Sequence, residues 1–150
     1  MSRIRKSVTT YLPLFLYCFV GLGLMVQGVR YISASQLMPY HSAVIDVPWD
    51  SLGTDYQILF LGLLKGFGAG SFCVGLAITI LALIGFRAGS TWTRWVTPVI
   101  AVTYTAALVY VTSFALLPGA TPITVTAILL MFVVVAAMSS YFGSYFGDTD

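Results

Sequence analysis

The chain has 150 residues, of which 59% are hydrophobic and only 8% are charged, and its mean hydropathy is +0.94. Soluble domains average about 25% charged residues, so this composition excludes a water-soluble globular domain and predicts an integral membrane protein, whose lipid-facing surface needs no charged cover. The formal net charge of +2, without a long run of lysine and arginine, predicts no binding to nucleic acid.

Four apolar segments predict an all-α, polytopic membrane protein with a single domain of four transmembrane helices. The predicted spans cover about residues 11–29, 56–86, 92–116 and 123–145, and a structured outer loop covers residues 30–55. Each segment reaches or approaches the roughly 20 residues that a helix needs to cross a hydrocarbon core of about 30 Å. The first segment also resembles a signal peptide, with Ser33-Ala34-Ser35 as the nearest cleavage site, but its length favours a retained helix.

Basic residues beside the spans predict the orientation of the chain. They precede the first span and flank the turn between the second and third spans, at Arg3, Arg5, Lys6, Arg87 and Arg94. Cytoplasmic segments beside a span carry the excess of lysine and arginine. We therefore expect a cell-membrane location with the N- and C-termini in the cytoplasm and the loop 30–55 outside.

Cysteine and motif patterns disfavour several kinds of membrane chemistry. The spans contain no aspartate or glutamate for proton-coupled transport, and the chain has no Cys-x-x-Cys pair, HExxH, GxSxG or Walker motif. Cys18 and Cys73 fall in apolar segments and are interpreted as packing residues. The single histidine, His41, lies outside the spans, which disfavours a haem held within the bundle. We expect no catalytic residues, no metal and no cofactor.

The predicted outer loop is about twice the length usually left as an unstructured connection, and it contains three aromatic residues, a histidine and three aspartates. His41 with Asp46, Asp50 and Asp55 offers imidazole and carboxylate ligands for a divalent cation, but their spacing matches no known metal-binding pattern. We favour the alternative in which Tyr40 and Trp49 lie on the membrane interface and the polar groups are hydrated.

The second predicted span carries a glycine pattern. Gly62, Gly66 and Gly70 recur every four residues, and Gly68 lies nearby. Such a stripe lets another backbone approach closely. The partner would be the first span, which contains Gly21, Gly23 and Gly28, or another chain in a homo-oligomer or a larger membrane-protein complex. The internal contact is the favoured alternative.

Apart from Arg94 at the start of the third segment, Lys65 is the only charged residue within an apolar segment. If the helix starts near Tyr56, Lys65 lies about 13 Å deep, where a charge is costly and usually functional. If residues 66–86 alone span the bilayer, Lys65 lies at the interface and its ammonium group reaches the headgroups. We hypothesise that Lys65 ties the outer loop or a bound anionic headgroup to this helix. The candidate ligand-binding residues are Lys65, Arg30, His41, Trp49 and Asp46.

The middle of the chain contains several short motifs of polar, aromatic and glycine residues. They are Met38-Pro39-Tyr40-His41, Pro48-Trp49, Gln57, Leu63-Leu64-Lys65, Gly66 to Gly70, Phe86-Arg87-Ala88-Gly89 and Trp92-Thr93-Arg94-Trp95. Together they resemble an uncharacterised family of small bacterial four-helix integral membrane proteins. The resemblance covers about Met38 to Trp95; it implies a four-helix plan in a bacterial inner membrane and no activity.

Two function classes follow from these patterns. Small size, absent motifs and small-residue stripes favour a non-enzymatic structural or accessory protein, which packs within the membrane or in a larger membrane complex. The alternative is a small transporter or binder of a lipid, quinone or anion, which uses Lys65 and the outer loop. Membrane lipids are expected partners in either case, and a membrane enzyme ranks third.

Overall fold

The structure is a computed structural model, and it describes residues 2–45, 47–88, 90–113 and 121–146. Within these ranges five α-helices follow one another: α1 (Ser2–Ile32), α2 (Pro39–Ile45), α3 (Thr54–Ala88), α4 (Thr91–Ser113) and α5 (Thr121–Phe146), with a 3-10 turn at Trp49–Ser51. The described residues contain no strand. The all-α fold class is therefore confirmed.

Three of these helices contain stretches long and apolar enough to cross a membrane, namely Tyr11–Ile32, Thr54–Gly85 and Trp95–Ser113. In α5, the apolar stretch found among the described residues is shorter, at Thr126–Met138, so the fourth crossing stays a prediction. Many large apolar side chains lie on the outside of the bundle; Val26 and Phe132, for example, are 70% and 69% exposed. Such a surface is consistent with a membrane protein, because lipid accepts exposed apolar groups.

The four long helices form an antiparallel bundle. Helix α1 packs against α3 and α5, and α4 also packs against α3 and α5, so each long helix has two principal neighbours. Buried side chains from all four helices form the central core, namely Tyr17, Val20, Leu24, Ile78, Ala82, Ala101, Val134 and Ala137. Short connections between α3 and α4 and between α4 and α5 fit the antiparallel arrangement.

Glycines bring the backbones of α1 and α3 into close contact. A Cβ added at Gly28 would lie 2.7 Å from the carbonyl oxygen of Gly68, and one added at Gly68 would lie 2.9 Å from the carbonyl oxygen of Gly28. Further along the same interface, a Cβ at Gly75 would collide with the carbonyl oxygen of Gly21. Only glycine allows helices to approach this closely, because any Cβ would occupy the space of the opposing backbone.

The predicted internal contact through Gly62, Gly66 and Gly70 is wrong. A Cβ added at any of the three would meet no atom within 4 Å. At about 100° of turn per residue, these glycines lie on roughly the opposite side of α3 from Gly68 and Gly75. The four-residue spacing correctly marked α3 as a glycine-rich packing helix, but it selected the face that points away from α1.

Several serine and threonine side chains inside the bundle are hydrogen-bonded. Ser71 is fully buried, and its hydroxyl lies 2.5 Å from that of Tyr104, which links α3 to α4. In α4 the hydroxyl groups of Thr97, Thr105 and Thr112 each donate to the carbonyl oxygen four residues earlier. These bonds satisfy groups that would otherwise be costly to bury in an apolar interior.

Candidate functional site

The segment between α1 and α3 folds back on the end of α1. The hydroxyl of Tyr40 in α2 donates a hydrogen bond to the hydroxyl of Tyr31 in α1, at 2.9 Å. The ring of His41 packs edge-on against that of Tyr40, with ring centroids 4.4 Å apart, and lies 6.0 Å from that of Tyr31. The side chain of Gln57 donates to the carbonyl oxygen of Trp49, at 2.9 Å, and attaches the 3-10 turn to α3. We call this end of the bundle the α2 end.

Two cavities lie at the α2 end. The first, the α2 cavity, has a volume of about 340 Å³ and lies between α1, α2, α3 and the last turns of α4. Most of its wall is apolar, with a few polar groups from three helices. Its lining residues include Gln27, Tyr31, His41, Leu64, Phe67 and Thr112. An apolar wall with few polar groups is typical of a small-molecule site.

The second cavity, the α1–α5 groove, has a volume of about 450 Å³. Its lining residues include Phe19, Gly23, Gln27, Arg30, Tyr40 and Leu129. The side chains of Phe19 and Leu129 are both 59% exposed, so the groove opens sideways to the surroundings of the bundle. Both cavities fall within the range of about 300–1,000 Å³ seen for ligand pockets.

The structure does not bring the predicted ligand-binding residues together at one site. Arg30 lines the α1–α5 groove and His41 lines the α2 cavity, so these two lie at cavities. Lys65 and Trp49 line neither of the two cavities, and Asp46 lies outside the described residues.

Sequence reasoning missed two residues, Gln27 and Tyr31, which line both cavities. Gln27 is a polar residue within an apolar stretch, one helical turn before Tyr31, and this position was the available signal. Because the amide of Gln27 is uncharged, its position in an apolar segment is a weaker indication of a functional site than that of Lys65. The pair shows that the two cavities share a wall formed by the last turns of α1.

Lys65 lies near the level at which α1 ends. Gly68 packs against Gly28 and Tyr31, and Leu64 belongs to the same buried cluster as Tyr31. The residues of α3 before Leu64 therefore project beyond the end of α1. Lys65 is exposed, and among the described residues it makes no ion pair with Asp50 or Asp55. The predicted tie between Lys65 and the outer loop is thus not formed by these two aspartates.

No cluster of three or more histidine, cysteine, aspartate and glutamate side chains that could hold a metal ion occurs in the described part of the chain. Asp46, one member of the cation set considered from sequence, lies outside that part. The side chains of Asp50 and Asp55 are exposed, whereas His41 is partly buried beneath Tyr40. The polar groups that line the two cavities of the α2 end are hydroxyl, amide, imidazole and guanidinium groups.

Burial and the hydrogen bond with Tyr31 raise the pKa of the Tyr40 hydroxyl, and the positive charge of Arg30 partly opposes this shift. The guanidinium of Arg30 therefore acts on the same region as the Tyr40–Tyr31 pair. Among the described residues, Arg30 forms no ion pair. The α2 end thus presents a positive charge beside two hydroxyl groups at the mouth of an apolar groove.

His41 makes the docking of α2 sensitive to pH. Its Nδ1 atom is enclosed without a hydrogen-bond partner among the described residues. Burial disfavours the imidazolium form and lowers the pKa of His41 from its ordinary value of 6.5. A released α2 therefore binds a proton at a higher pH than a docked α2 does. The docking contribution is fully present above about pH 6.5 and decreases as the pH falls from there toward the lowered pKa.

We expect limited proteolysis within residues 33–53 to be faster at about pH 5.5 than at about pH 7.5, because acid favours the released α2. The variant His41→Gln carries no titrating group and serves as the control for the protease's own pH dependence. The measurement is the cleavage rate of the wild type divided by that of the variant at each pH. An equal ratio at both pH values would show that His41 protonation does not govern docking.

Comparison with known proteins yields no match: no protein-family model, no curated protein and no solved structure is significantly similar to this chain.

Proposed function

We propose that the protein is a non-enzymatic structural or accessory component of a membrane, which assembles with another membrane-embedded chain through one face of α3. This α3 face consists of Gly62, Gly66, Ala69, Gly70 and Cys73. We further propose four membrane crossings, with α5 as the fourth, in a bacterial inner membrane with both termini cytoplasmic. The 26 residues of α5 support the fourth crossing, because a helix of that length extends about 39 Å.

The observation that carries this proposal is that the glycines of the α3 face have no packing partner among the described residues. A Cβ at Gly62, Gly66 or Gly70 would contact nothing within 4 Å. Glycine within a helix costs about 1 kcal/mol relative to alanine. At Gly68 and Gly75 the close approach of α1 offsets this cost, and on the α3 face no described part of the chain does. A second helix packed on this face would supply the missing contact.

Cys73 provides a direct test of a homo-oligomer. It is exposed. Its angular position around the axis of α3 falls between those of Gly62 and Gly66, so it belongs to the α3 face. In membranes of a Cys18→Ser variant, we expect mild oxidation to join two copies through Cys73. Adding Gly66→Leu should reduce this dimer at least about tenfold. The leucine side chain holds the two helices apart, and the lost contacts weaken association by about 1.4 kcal/mol or more.

A hetero-complex would give a different result. Cys73 would then not form the homodimer, and a stoichiometric membrane protein would copurify with the wild type and be lost from Gly66→Leu. Absence of both the Cys73 dimer and a copurifying partner would contradict the proposed assembly. Cross-linking that persists in Gly66→Leu would show that the contact does not involve the α3 face.

The proposed orientation rests on the basic residues beside the spans. In a background without Cys18 and Cys73, we expect an impermeant thiol reagent to label Ser51→Cys in intact cells and to leave Ala88→Cys unlabelled until lysis. Position 88 ends α3 at the opposite end of that helix from position 51. Labelling of position 88 without lysis would reverse the orientation.

A second candidate function is the binding or transport of a lipid, quinone or anion. The two adjacent cavities at the α2 end favour it, because they combine apolar walls with a few polar groups. Of the candidate residues selected from sequence, Arg30 and His41 lie at these cavities, whereas Lys65 lines neither. Extraction of the purified protein with organic solvent, followed by mass spectrometry, tests this function: a stoichiometric small molecule supports it, and none at all contradicts it.

A further inference from the structure

We propose that the α1–α5 groove binds one anionic phospholipid, with the phosphate on Arg30 and one acyl chain in the groove over Gly23. The inference rests on the second candidate function and names its ligand class and its residues. It is independent of assembly through the α3 face, since none of the five residues of that face lines the groove.

The polar and apolar parts of the groove are separated along α1. Phe19, Gly23, Val26 and Arg30 all line it and fall on one side of that helix. Phe19 and Arg30 are eleven residues apart, which corresponds to about 16 Å along the axis. Arg30 lies in the last turn of α1 beside Tyr40, whereas Phe19 lies about three turns earlier, within the apolar stretch Tyr11–Ile32. A ligand that fills the groove therefore needs a polar head at one end and an apolar tail.

The positive charge of Arg30 determines which headgroup the ligand carries. Arg30 has no carboxylate partner among the described residues. A guanidinium forms paired, charge-assisted hydrogen bonds with a phosphate group, and the hydroxyl groups of Tyr31 and Tyr40 lie at the same end of the groove. An anionic headgroup neutralises the guanidinium, whereas a neutral quinone head leaves it uncompensated. The groove therefore favours an anionic lipid over a quinone.

Gly23 provides the space for the tail. A Cβ added there would meet nothing within 4 Å, unlike one at Gly28 on the same helix, which would collide with α3. No helix of the bundle occupies the volume over Gly23, and its neighbours in the groove include Phe19, Leu129 and Leu130, which are all apolar. The groove also opens sideways, so an acyl chain can enter from the surrounding lipid without passing through the bundle.

The test measures lipid bound to the full-length protein purified in mild detergent, with native mass spectrometry. The probes are dioleoyl phosphatidylglycerol, dioleoyl phosphatidylcholine and glycerol 3-phosphate. Both lipids carry a phosphodiester, but the choline cation of phosphatidylcholine competes with Arg30 for it, whereas the glycerol of phosphatidylglycerol is uncharged. We therefore expect one phosphatidylglycerol to bind at least about tenfold more tightly than phosphatidylcholine, because one charge-assisted interaction contributes about 1.5 kcal/mol or more. Glycerol 3-phosphate should not compete, because it has no chain for the groove.

Two variants localise the site. Arg30→Gln should remove the preference for phosphatidylglycerol, and Gly23→Leu should exclude the chain and weaken binding of both lipids. Because a Cβ at Gly23 meets no neighbour and leucine has the better helix propensity, the thermal midpoint of Gly23→Leu without lipid should be no lower than that of the wild type. Lys65→Gln removes a positive charge near the same level of the bundle but outside the groove, and it should bind as the wild type does.

Three results would overturn the inference. Equal binding of the two lipids would remove the role of the charge, and effective competition by glycerol 3-phosphate would indicate a free-anion site. Loss of selectivity in Lys65→Gln with retention in Arg30→Gln would move the site to α3. If lipid binds but is indifferent to Arg30→Gln and Gly23→Leu, only this inference fails; if no lipid, quinone or anion binds at all, the second candidate function fails with it.

Discussion

Gly68→Leu is expected to lower the free energy of unfolding of the bundle by about 3 kcal/mol or more. A Cβ at this position would lie 2.8 Å from the Cβ of Tyr31, 2.9 Å from the carbonyl oxygen of Gly28 and 3.0 Å from the backbone nitrogen of Ile32. Two of these three atoms belong to the backbone of α1, which cannot rotate away as a side chain does. Overpacking usually costs about 1–3 kcal/mol, and a contact against backbone falls at or above the upper end.

Gly66→Leu is the matched control, since it makes the same change two residues away on the same helix, where a Cβ meets nothing within 4 Å. It should not destabilise the monomer, and the better helix propensity of leucine should raise the free energy of unfolding by up to about 1 kcal/mol. The measurement is reversible unfolding by a denaturing detergent at a protein concentration where the chain is monomeric. Equal destabilisation by the two variants would contradict the described α1–α3 interface.

The difference between these two glycines also explains what the sequence could predict. Periodicity identifies a glycine-rich helix, but two faces of α3 carry glycines, and spacing alone does not say which one meets α1. The choice depends on the rest of the interface: Ser71, Ile78 and Ala82 are fully buried on the same side as Gly68. Only a pattern that combines the glycines with these small and apolar residues selects the correct face.

The α2 end shows a similar limit. The composition of the loop indicated that residues 30–55 are structured, and the aromatic residues were part of that argument. The partners Tyr31 and Tyr40 were not predictable, because their hydrogen bond joins two different elements nine residues apart. The hypothesis on Lys65 followed from its position in an apolar segment. Its depth depends on where α1 ends relative to α3, which is a property of the packed bundle.

Arg30 was selected from sequence as one polar handle, and it does line a cavity. Its groove partners come from α2, α4 and α5, at Tyr40, Leu108 and Leu129. These residues are distant in sequence and carry no motif, so the groove itself had no sequence signal. A single charged residue at the end of an apolar helix is common at interfaces. The neighbouring cavity, and not the charge alone, distinguishes Arg30 from an ordinary interfacial arginine.

The second large effect concerns the outside of the bundle. Leu22 lies near the centre of the apolar stretch Tyr11–Ile32 and is 54% exposed. In a water-soluble protein, replacing such an exposed leucine by arginine would change stability by no more than about 0.5 kcal/mol. In a bilayer, an arginine at the centre of a crossing helix costs about 2.5–3.5 kcal/mol. The same substitution therefore distinguishes lipid from water around this surface.

We expect Leu22→Arg to reduce the membrane-inserted, folded fraction about a hundredfold in the equilibrium ratio, which corresponds to about 3 kcal/mol. Tyr11→Arg is the control, because Tyr11 is similarly exposed, at 65%, but lies at the end of the same stretch, where an arginine reaches the headgroups. Both variants are scored by the protein recovered in the membrane fraction after an alkaline wash and by the unfolding free energy of the recovered protein. Equal recovery and equal stability of the two variants would contradict a lipid-facing α1. Because Leu22 lines neither cavity and packs in no core cluster among the described residues, a loss at this position reports the surrounding solvent and not a broken site.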